Sequence, residues 1–153
     1  MNMQIAELSK RKDLLIDAIS YFWKRWGDDF NYSFYKNCIE NSLDDKNPLP
    51  KFYIALENGV IIGSYALIVN DLISRQDLSP WLACLYVEED KRGTGIAKEL
   101  LFHGIKETKA KGFSKLYLST DLVNFYERYG WKYICNGYNV MGEELKIYSM
   151  LIE

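Results

Sequence analysis

Seven nearly all-apolar residues, Trp81-Leu82-Ala83-Cys84-Leu85-Tyr86-Val87, run directly into the charged turn Glu88-Glu89-Asp90-Lys91-Arg92-Gly93-Thr94. A short apolar run bounded in this way is the pattern of a central strand buried on both faces. Gly95 to Ala110 then returns to helical spacing through Ile96, Leu100, Leu101 and Ile105, with Gly112 as its cap and Lys115 to Leu118 as the next strand. A strand–loop–helix–strand unit of this kind demands a covered sheet, which places the chain in the mixed α/β class.

The flanking segments complete the order of elements. Asp13 to Trp26 reads as an amphipathic helix, since Leu14, Leu15, Ala18, Ile19, Phe22 and Trp26 follow three/four spacing. Gly27 is a natural stop, and Asp28 or Asp29 a natural cap for a second helix over Phe30 to Ile39. Lys51 to Leu56 and Val60 to Val69 read as two strands joined at Asn58-Gly59, a strong hairpin signal. Asp71 to Ser79 is a polar connection, Asp121 to Tyr129 a short helix ended by Gly130, and Trp131 to Cys135 and Leu145 to Leu151 are closing strands. The expectation is one largely antiparallel central sheet with flanking helices, in a single domain over residues 1–153.

Charge and composition narrow the functions. Lys and Arg number 19 against 21 Asp and Glu, for a net charge of −2 and a pI near 5.5. That balance excludes a basic nucleic-acid footprint over the whole molecule and gives no reason for attraction to an anionic membrane. The longest apolar run, Val60 to Val69, is about half of the ~20 residues that a spanning helix requires. Met1 to Asp13 alternates polar and apolar residues and turns basic at Lys10-Arg11-Lys12, without the apolar region of a secretory signal. Cys38, Cys84 and Cys135 are an odd, widely spaced set that fits neither a disulfide framework nor a zinc site, so no metal is expected. These features predict a reduced, cytoplasmic domain.

The turn after Val87 has the chemistry of an anion cradle. Backbone N–H groups at a helix N-terminus are unpaired, and the helix dipole favours negative charge there. Gly93 and Gly95 let the backbone approach a phosphate closely, and Lys91 and Arg92 add positive charge beside the acidic Glu88-Glu89-Asp90. A Walker loop is absent, and the dinucleotide fingerprint stops at Gly93-x-Gly95-x-x-Lys98. The same residues also suit a plain glycine turn before an ordinary helix.

Two motifs carry a resemblance. Arg92-Gly93-Thr94-Gly95-Ile96-Ala97, directly after a Leu-Tyr-Val strand, resembles the coenzyme A loop of the GNAT N-acetyltransferases, Arg/Gln-x-x-Gly-x-Gly/Ala. About thirty residues on, Asn124-Phe125-Tyr126-Glu127-Arg128-Tyr129-Gly130-Trp131 is similar to that family's Phe-Tyr-x-x-x-Gly-Phe/Trp segment. The resemblance implies that Arg92, Gly93, Thr94, Gly95, Ile96 and Ala97 offer backbone N–H groups to the pyrophosphate of acetyl-CoA, the cosubstrate. It implies that Leu85, Tyr86 and Val87 pair with the pantetheine arm almost as an added strand, one N–H near Leu85 facing the thioester oxygen. Asn124 is placed to contact the pantetheine or phosphate portion.

The implied reaction is attack by a neutral amine on the acetyl thioester. Tyr126 is the candidate acid for the departing thiolate, with packing of a short helix as its other reading; Tyr129 suits packing or a pocket wall. The positions where relatives carry a Glu or His base are occupied here by Trp81 and Ala83. Asp71 and Asp77 are the nearest carboxylates, each able to act through water and each suited to a turn or cap. His103 reads as structural and Cys84 as a small buried hydrophobe. Trp23, Trp26, Asp28, Asp29, Phe30, Tyr32, Phe34 and Tyr35 suit a cationic acceptor, but helix packing and N-capping account for them more simply. The leading expectation is an N-acetyltransferase acting on a small-molecule primary amine. The alternatives are a protein or peptide N-acetyltransferase and a non-catalytic acyl-CoA sensor. The family also admits a homodimer, for which the sequence marks no interface.

Overall fold

The computed structural model describes residues 2–153. Two compact units divide the chain: residues up to Ala66 with Cys84–His103, and Leu67–Ala83 with Gly104–Glu153.

In the first unit, the N-terminal alternation forms a strand that the apolar-run reading did not include. This strand, β1 (Met3–Glu7), pairs antiparallel with β2 (Lys51–Glu57), placing Ile5 opposite Ala55. Asn58 and Gly59 both take positive φ, 52° and 79°, the two-residue turn expected between β2 and β3 (Val60–Ile68). β2 is buried from Lys51 to Leu56. The Lys51 ammonium is satisfied there by the carbonyls of Ser42 and Asp44 at 3.0 and 2.8 Å.

Helix α1 (Leu15–Trp26) follows a 3-10 turn at Lys12–Leu14, so it begins two residues later than its spacing predicts. Its stripe of Ala18, Ile19 and Phe22 is buried, and the Phe22 ring meets Phe52 edge-on at 5.1 Å. Burying a side chain such as Phe22 or Ile19 contributes about 1.5–3 kcal/mol. Helix α2 (Tyr32–Glu40) also starts late, because neither aspartate caps it. The Asp28 carboxylate instead accepts the Phe30 N–H at 2.8 Å, and Asn31 Oδ1 accepts the Asp28 N–H at 2.7 Å. This local turn consumes the residues that a longer helix would have used.

Strand β4 (Trp81–Val87) departs from the expectation of burial along its whole length. Trp81, Leu82 and Ala83 are buried, whereas Cys84, Leu85 and Tyr86 are only half-buried. After a 3-10 turn at Glu89–Lys91, helix α3 (Ile96–Ala110) begins.

The second unit is built around β5 (Lys115–Thr120), which runs parallel to β4 with Tyr117 opposite Trp81. After β6 (Lys132–Tyr138) the chain returns as β7 (Glu144–Leu151), which pairs antiparallel with both β5 and β6. Ile73, Trp81, Tyr117 and Ile147 form its buried cluster, with Ile68, Leu78, Cys135 and Leu145 packed against it. The expected helix over Asp121 to Tyr129 is reduced to a 3-10 turn at Tyr126–Tyr129. Asn124 takes a left-handed φ of 61°, which a continuous helix cannot include, and Thr120 Oγ1 holds the Leu122 N–H in a separate turn.

The strands share one mostly antiparallel seven-stranded sheet in the order β1-β2-β3-β4-β5-β7-β6. No helix among the described residues is long and apolar enough to cross a membrane.

One glycine sets how closely β3 approaches β4. A Cβ on Gly63 would lie 2.8 Å from the Tyr86 carbonyl oxygen, a backbone atom that cannot swing aside. Gly63→Ala is expected to destabilise the fold by about 1–3 kcal/mol, the range for overpacking. Urea unfolding checks this as a lower midpoint with an unchanged slope; an unaltered midpoint would mean that β4 yields freely at Tyr86.

Candidate functional site

The second half of β4 is kinked at a residue that is not glycine. Cys84 takes a left-handed φ of 55°, at a cost of roughly 1–2 kcal/mol. Its carbonyl accepts the buried Ser64 hydroxyl at 2.9 Å, which fixes the kink from β3. Beyond it, Leu85 and Tyr86 are half-buried and Val87 is buried. The Glu88 N–H returns to the Ile62 carbonyl at 2.8 Å and ends the strand.

Glu88 then meets α1. Its carboxylate accepts a short hydrogen bond from the Tyr21 hydroxyl and a 2.7 Å ion pair from Arg25 Nη2. Burial by itself would raise the Glu88 pKa. The bonds from Tyr21 and Arg25, with the charges of Arg25 and Arg92, outweigh burial and hold it below the ordinary 4.5. Burial first, then Glu88, pushes the Tyr21 phenol up. The Arg25 guanidinium lies 4.7 Å from the Tyr21 ring centroid and 4.5 Å from that of Tyr86. Arg92 lies 5.4 Å from the Tyr86 ring and gives its Nε–H to the Val87 carbonyl at 2.9 Å. Two guanidiniums therefore hold the ring and backbone of β4's last residues.

The loop itself is tethered and open. Lys91 pairs with Glu57 at 2.7 Å, and the Thr94 hydroxyl caps the Lys91 carbonyl at 2.7 Å. Gly93 and Gly95 have φ of 79° and 88°, and no heavy atom comes within 4 Å of where a Cβ would stand on either. Arg92, Gly93, Thr94 and Gly95 are exposed, Ala97 is half-buried and the Ile96 side chain is buried. The Glu99 N–H bonds to the Gly95 carbonyl at 3.1 Å, so the N–H groups of Ile96, Ala97 and Lys98 precede the first helical bond of α3. Space, unpaired donors and positive charge together suit a diphosphate.

In the second unit, Tyr126 is buried among aromatic rings. Phe125, Trp131 and Tyr148 lie at centroid distances of 4.9, 6.3 and 6.0 Å. Burial, and then the negative charge of Asp121, push its phenol up to about 12, so the hydroxyl keeps its proton at neutral pH. Asn124 is exposed, and its carbonyl takes the Arg128 Nε–H at 3.0 Å. The two carboxylates that sequence left equivalent are unlike. Asp77 is exposed and held by Arg75 at 2.7 Å, which keeps its pKa low. Burial pushes the Asp71 carboxyl up to about 6, against the lowering effect of a hydrogen bond from Ser119.

Among the remaining candidates, His103, Trp23 and Tyr32 take packing contacts. His103 Nδ1 and the Tyr65 hydroxyl are 2.6 Å apart, and the imidazole packs edge-on against Tyr53. Trp23 meets Tyr32 edge-on at 5.2 Å and gives its indole N–H to the Asp28 carbonyl, while Phe30 is 96% exposed. Sequence reasoning did not single out Tyr21, Arg25 or Glu88. The one signal was the i, i+4 spacing of an aromatic and a cation on α1.

Residues 13–131 match the family described as "Acetyltransferase (GNAT) family". No curated protein sequence matches the chain. Among solved structures, an N-acetyltransferase from Staphylococcus aureus Mu50 superposes with a TM-score of 0.72 at 20% identity, covering 100% of both chains. An aminoglycoside 6'-N-acetyltransferase complexed with coenzyme A gives 0.69 at 19%, covering 98% of this chain and 97% of its own. A GNAT family acetyltransferase from Elizabethkingia anophelis with acetyl-CoA bound gives 0.65 at 19%, covering 98% of each.

A pH-dependent stability follows from Glu88. Its pKa is depressed on folding, so its contribution is present above the ordinary value of 4.5 and is lost as pH falls through the folded value. Glu88→Gln is expected to lower the thermal midpoint at pH 7, and the gap from the parent should close under acid. A gap that persists unchanged at pH 3 would remove the ionised carboxylate as its cause.

Proposed function

The chain belongs to the acetyltransferase (GNAT) family, and from that premise we propose that it transfers the acetyl group of acetyl-CoA to the primary amine of a small molecule. The observation that carries the reading is the kinked strand Leu85–Val87 leading through an open, two-glycine turn into the N-terminus of α3. Acetyl-CoA supplies the acetyl group as a thioester, already activated toward amines.

In this reading Arg92, Gly93, Thr94, Gly95, Ile96 and Ala97 bind the pyrophosphate through backbone N–H groups and local positive charge. Leu85, Tyr86 and Val87 hold the pantetheine arm along the strand, and Asn124 contacts it from an exposed left-handed turn. The exposed aromatics around Phe30 and the carboxylate of Asp29 suit a cationic acceptor. The structural neighbour that acetylates an aminoglycoside, complexed with coenzyme A, supports the same reading.

Tyr126 gives its proton to the departing thiolate. A coenzyme thiol has a pKa near ~8.5 in water, below the value of about 12 for Tyr126, so transfer is uphill in water. A site that excludes water narrows the gap by penalising the bare thiolate. Tyr126→Phe is expected to reduce kcat about 100-fold, within the usual range for a general acid, while acetyl-CoA binding stays nearly intact. Steady-state thiol release measures the first and calorimetric titration the second; unaltered kcat would take Tyr126 out of the reaction.

Thermal unfolding tests the cosubstrate. A ligand at about 100 times its dissociation constant adds roughly 2.7 kcal/mol, which should raise the midpoint by about 5–10 °C. Acetyl-CoA is expected to produce that shift, and ATP and NAD are not. Protein that is folded, free of copurified coenzyme and unshifted by acetyl-CoA would remove the cradle assignment.

A further inference from the structure

Leu85–Val87 runs between two peptide groups, each of which is held in place. At the far end the Val87 carbonyl takes the Arg92 Nε–H at 2.9 Å. The N–H of that same peptide group, from Glu88, bonds to the Ile62 carbonyl at 2.8 Å. At the near end the Cys84 carbonyl accepts the Ser64 hydroxyl at 2.9 Å. Cys84 has a left-handed φ of 55°, so the regular progression of the strand is broken there. A repeating ladder no longer dictates which way the Cys84–Leu85 peptide group faces, and the serine hydroxyl takes over that task.

Ser64 sits on a part of β3 that has little room to move. It is 0% exposed, so its side chain reaches neither solvent nor a bound molecule directly. The next residue, Tyr65, stacks on Tyr53 of β2 with ring centroids 4.4 Å apart, and its hydroxyl lies 2.6 Å from His103 Nδ1. The preceding residue, Gly63, lacks the Cβ that would stand 2.8 Å from the Tyr86 carbonyl oxygen. Its absence lets β3 come close enough for a side chain as short as serine to reach the backbone of β4. A hydroxyl locked by packing on a regular strand holds its partner more precisely than one on a loop.

A trans peptide group is planar, with its C=O and N–H pointing in opposite directions. The Cys84–Leu85 bond is not among the cis peptides, so drawing the Cys84 carbonyl toward Ser64 turns the Leu85 N–H away from β3. We propose that Ser64 is a positioning residue for the transfer: through the Cys84 carbonyl it aims the Leu85 N–H at the oxygen of the acetyl thioester. The proposal rests on the transferase reading above and adds to it the side chain that sets the donor. In the step itself the amine lone pair forms the C–N bond while the carbonyl π pair moves onto oxygen. That pair returns as the C–S bond breaks and its electrons leave on sulfur; the nitrogen loses one proton and the sulfur gains one. A donor already aimed at the oxygen where charge develops needs no reorganisation during the step, and a donor free to swing loses that advantage.

The test uses the full chain, acetyl-CoA isotopically labelled at its acetyl carbonyl, and the variants Ser64→Ala, Ser64→Cys and Ser64→Ala/Cys84→Gly. A hydrogen bond to the carbonyl oxygen softens the C=O bond, so the infrared stretch of the bound label should lie lower in wild type than in Ser64→Ala. With a panel of aminoglycosides and polyamines as acceptors, Ser64→Ala should lower kcat by about 10- to 100-fold, short of the loss on deleting an oxyanion donor outright. The acetyl-CoA dissociation constant should stay within about three-fold, the split expected when an interaction is made in the transition state. Ser64→Cys fills the site with a weaker donor and should fall between the two. Glycine takes positive φ freely, so Cys84→Gly relieves the backbone without restoring the hydroxyl, and the double variant should stay slow. An equal stretch in wild type and Ser64→Ala, an unaltered kcat, or loss of acetyl-CoA binding in folded Ser64→Ala overturns the proposal. So does a double variant that recovers the wild-type rate, because the hydroxyl would then only offset strain. Wild type that binds acetyl-CoA but acetylates no amine overturns the transferase reading itself and takes this role with it.

Discussion

The carboxylate of Glu88, one residue beyond β4, receives Tyr21 and Arg25 of α1 across 67 and 63 residues of sequence. Through that contact an amphipathic helix fixes the point at which a buried strand turns outward. Arg25 does more than neutralise a charge: its planar group also lies against the rings of Tyr21 and Tyr86. A lysine there would supply the charge but not the flat surface. With Glu88 placed, Arg92 bonds the Val87 carbonyl, Lys91 reaches Glu57, and Gly93 and Gly95 turn into α3 over open space.

Backbone strain at ordinary residues is concentrated in two places. Two left-handed residues are neither glycine nor asparagine: Cys84 within β4, and Leu72 in the connection between β3 and β4. Cys84 precedes the strand segment Leu85–Val87 and is fixed by the Ser64 hydroxyl. Leu72 follows Asp71 and is fixed by the Asn70, Ile73 and Gln76 bonds. In both places ordinary hydrogen bonds and burial over-determine the chain, so the backbone accepts a conformation that no local preference favours.

Much of the architecture was legible because it is written in local patterns. The Asn58-Gly59 turn, the apolar run at Trp81 and the glycine-led start of α3 declare themselves within a few residues. The Glu88 contact was not legible, because it joins residues more than sixty positions apart whose types are common on any surface. The kink at Cys84 was hidden for the opposite reason: its sequence is that of a good strand, and only the hydroxyl of Ser64 and the close approach at Gly63 reveal it. Asp28 and Asp29 have the composition of helix caps, yet the shorter bond from Phe30 N–H to Asp28 competed successfully. Asp71 and Asp77 lie in one polar connection, and only their burial and partners separate a lone carboxylate from an ion-paired one.

The tie between Glu88 and α1 also shapes how the molecule opens. Amides in the turn after β4 are exposed and would ordinarily exchange with solvent at the rate of a surface loop. Here the turn is anchored to a helix whose inner face, Ala18, Ile19 and Phe22, is buried. Its larger excursions therefore require that helix to loosen as well, which links the hydrogen exchange of the two segments into one cooperative unit. Occupancy of the turn by an anion would accordingly be felt as slower exchange along α1 as well.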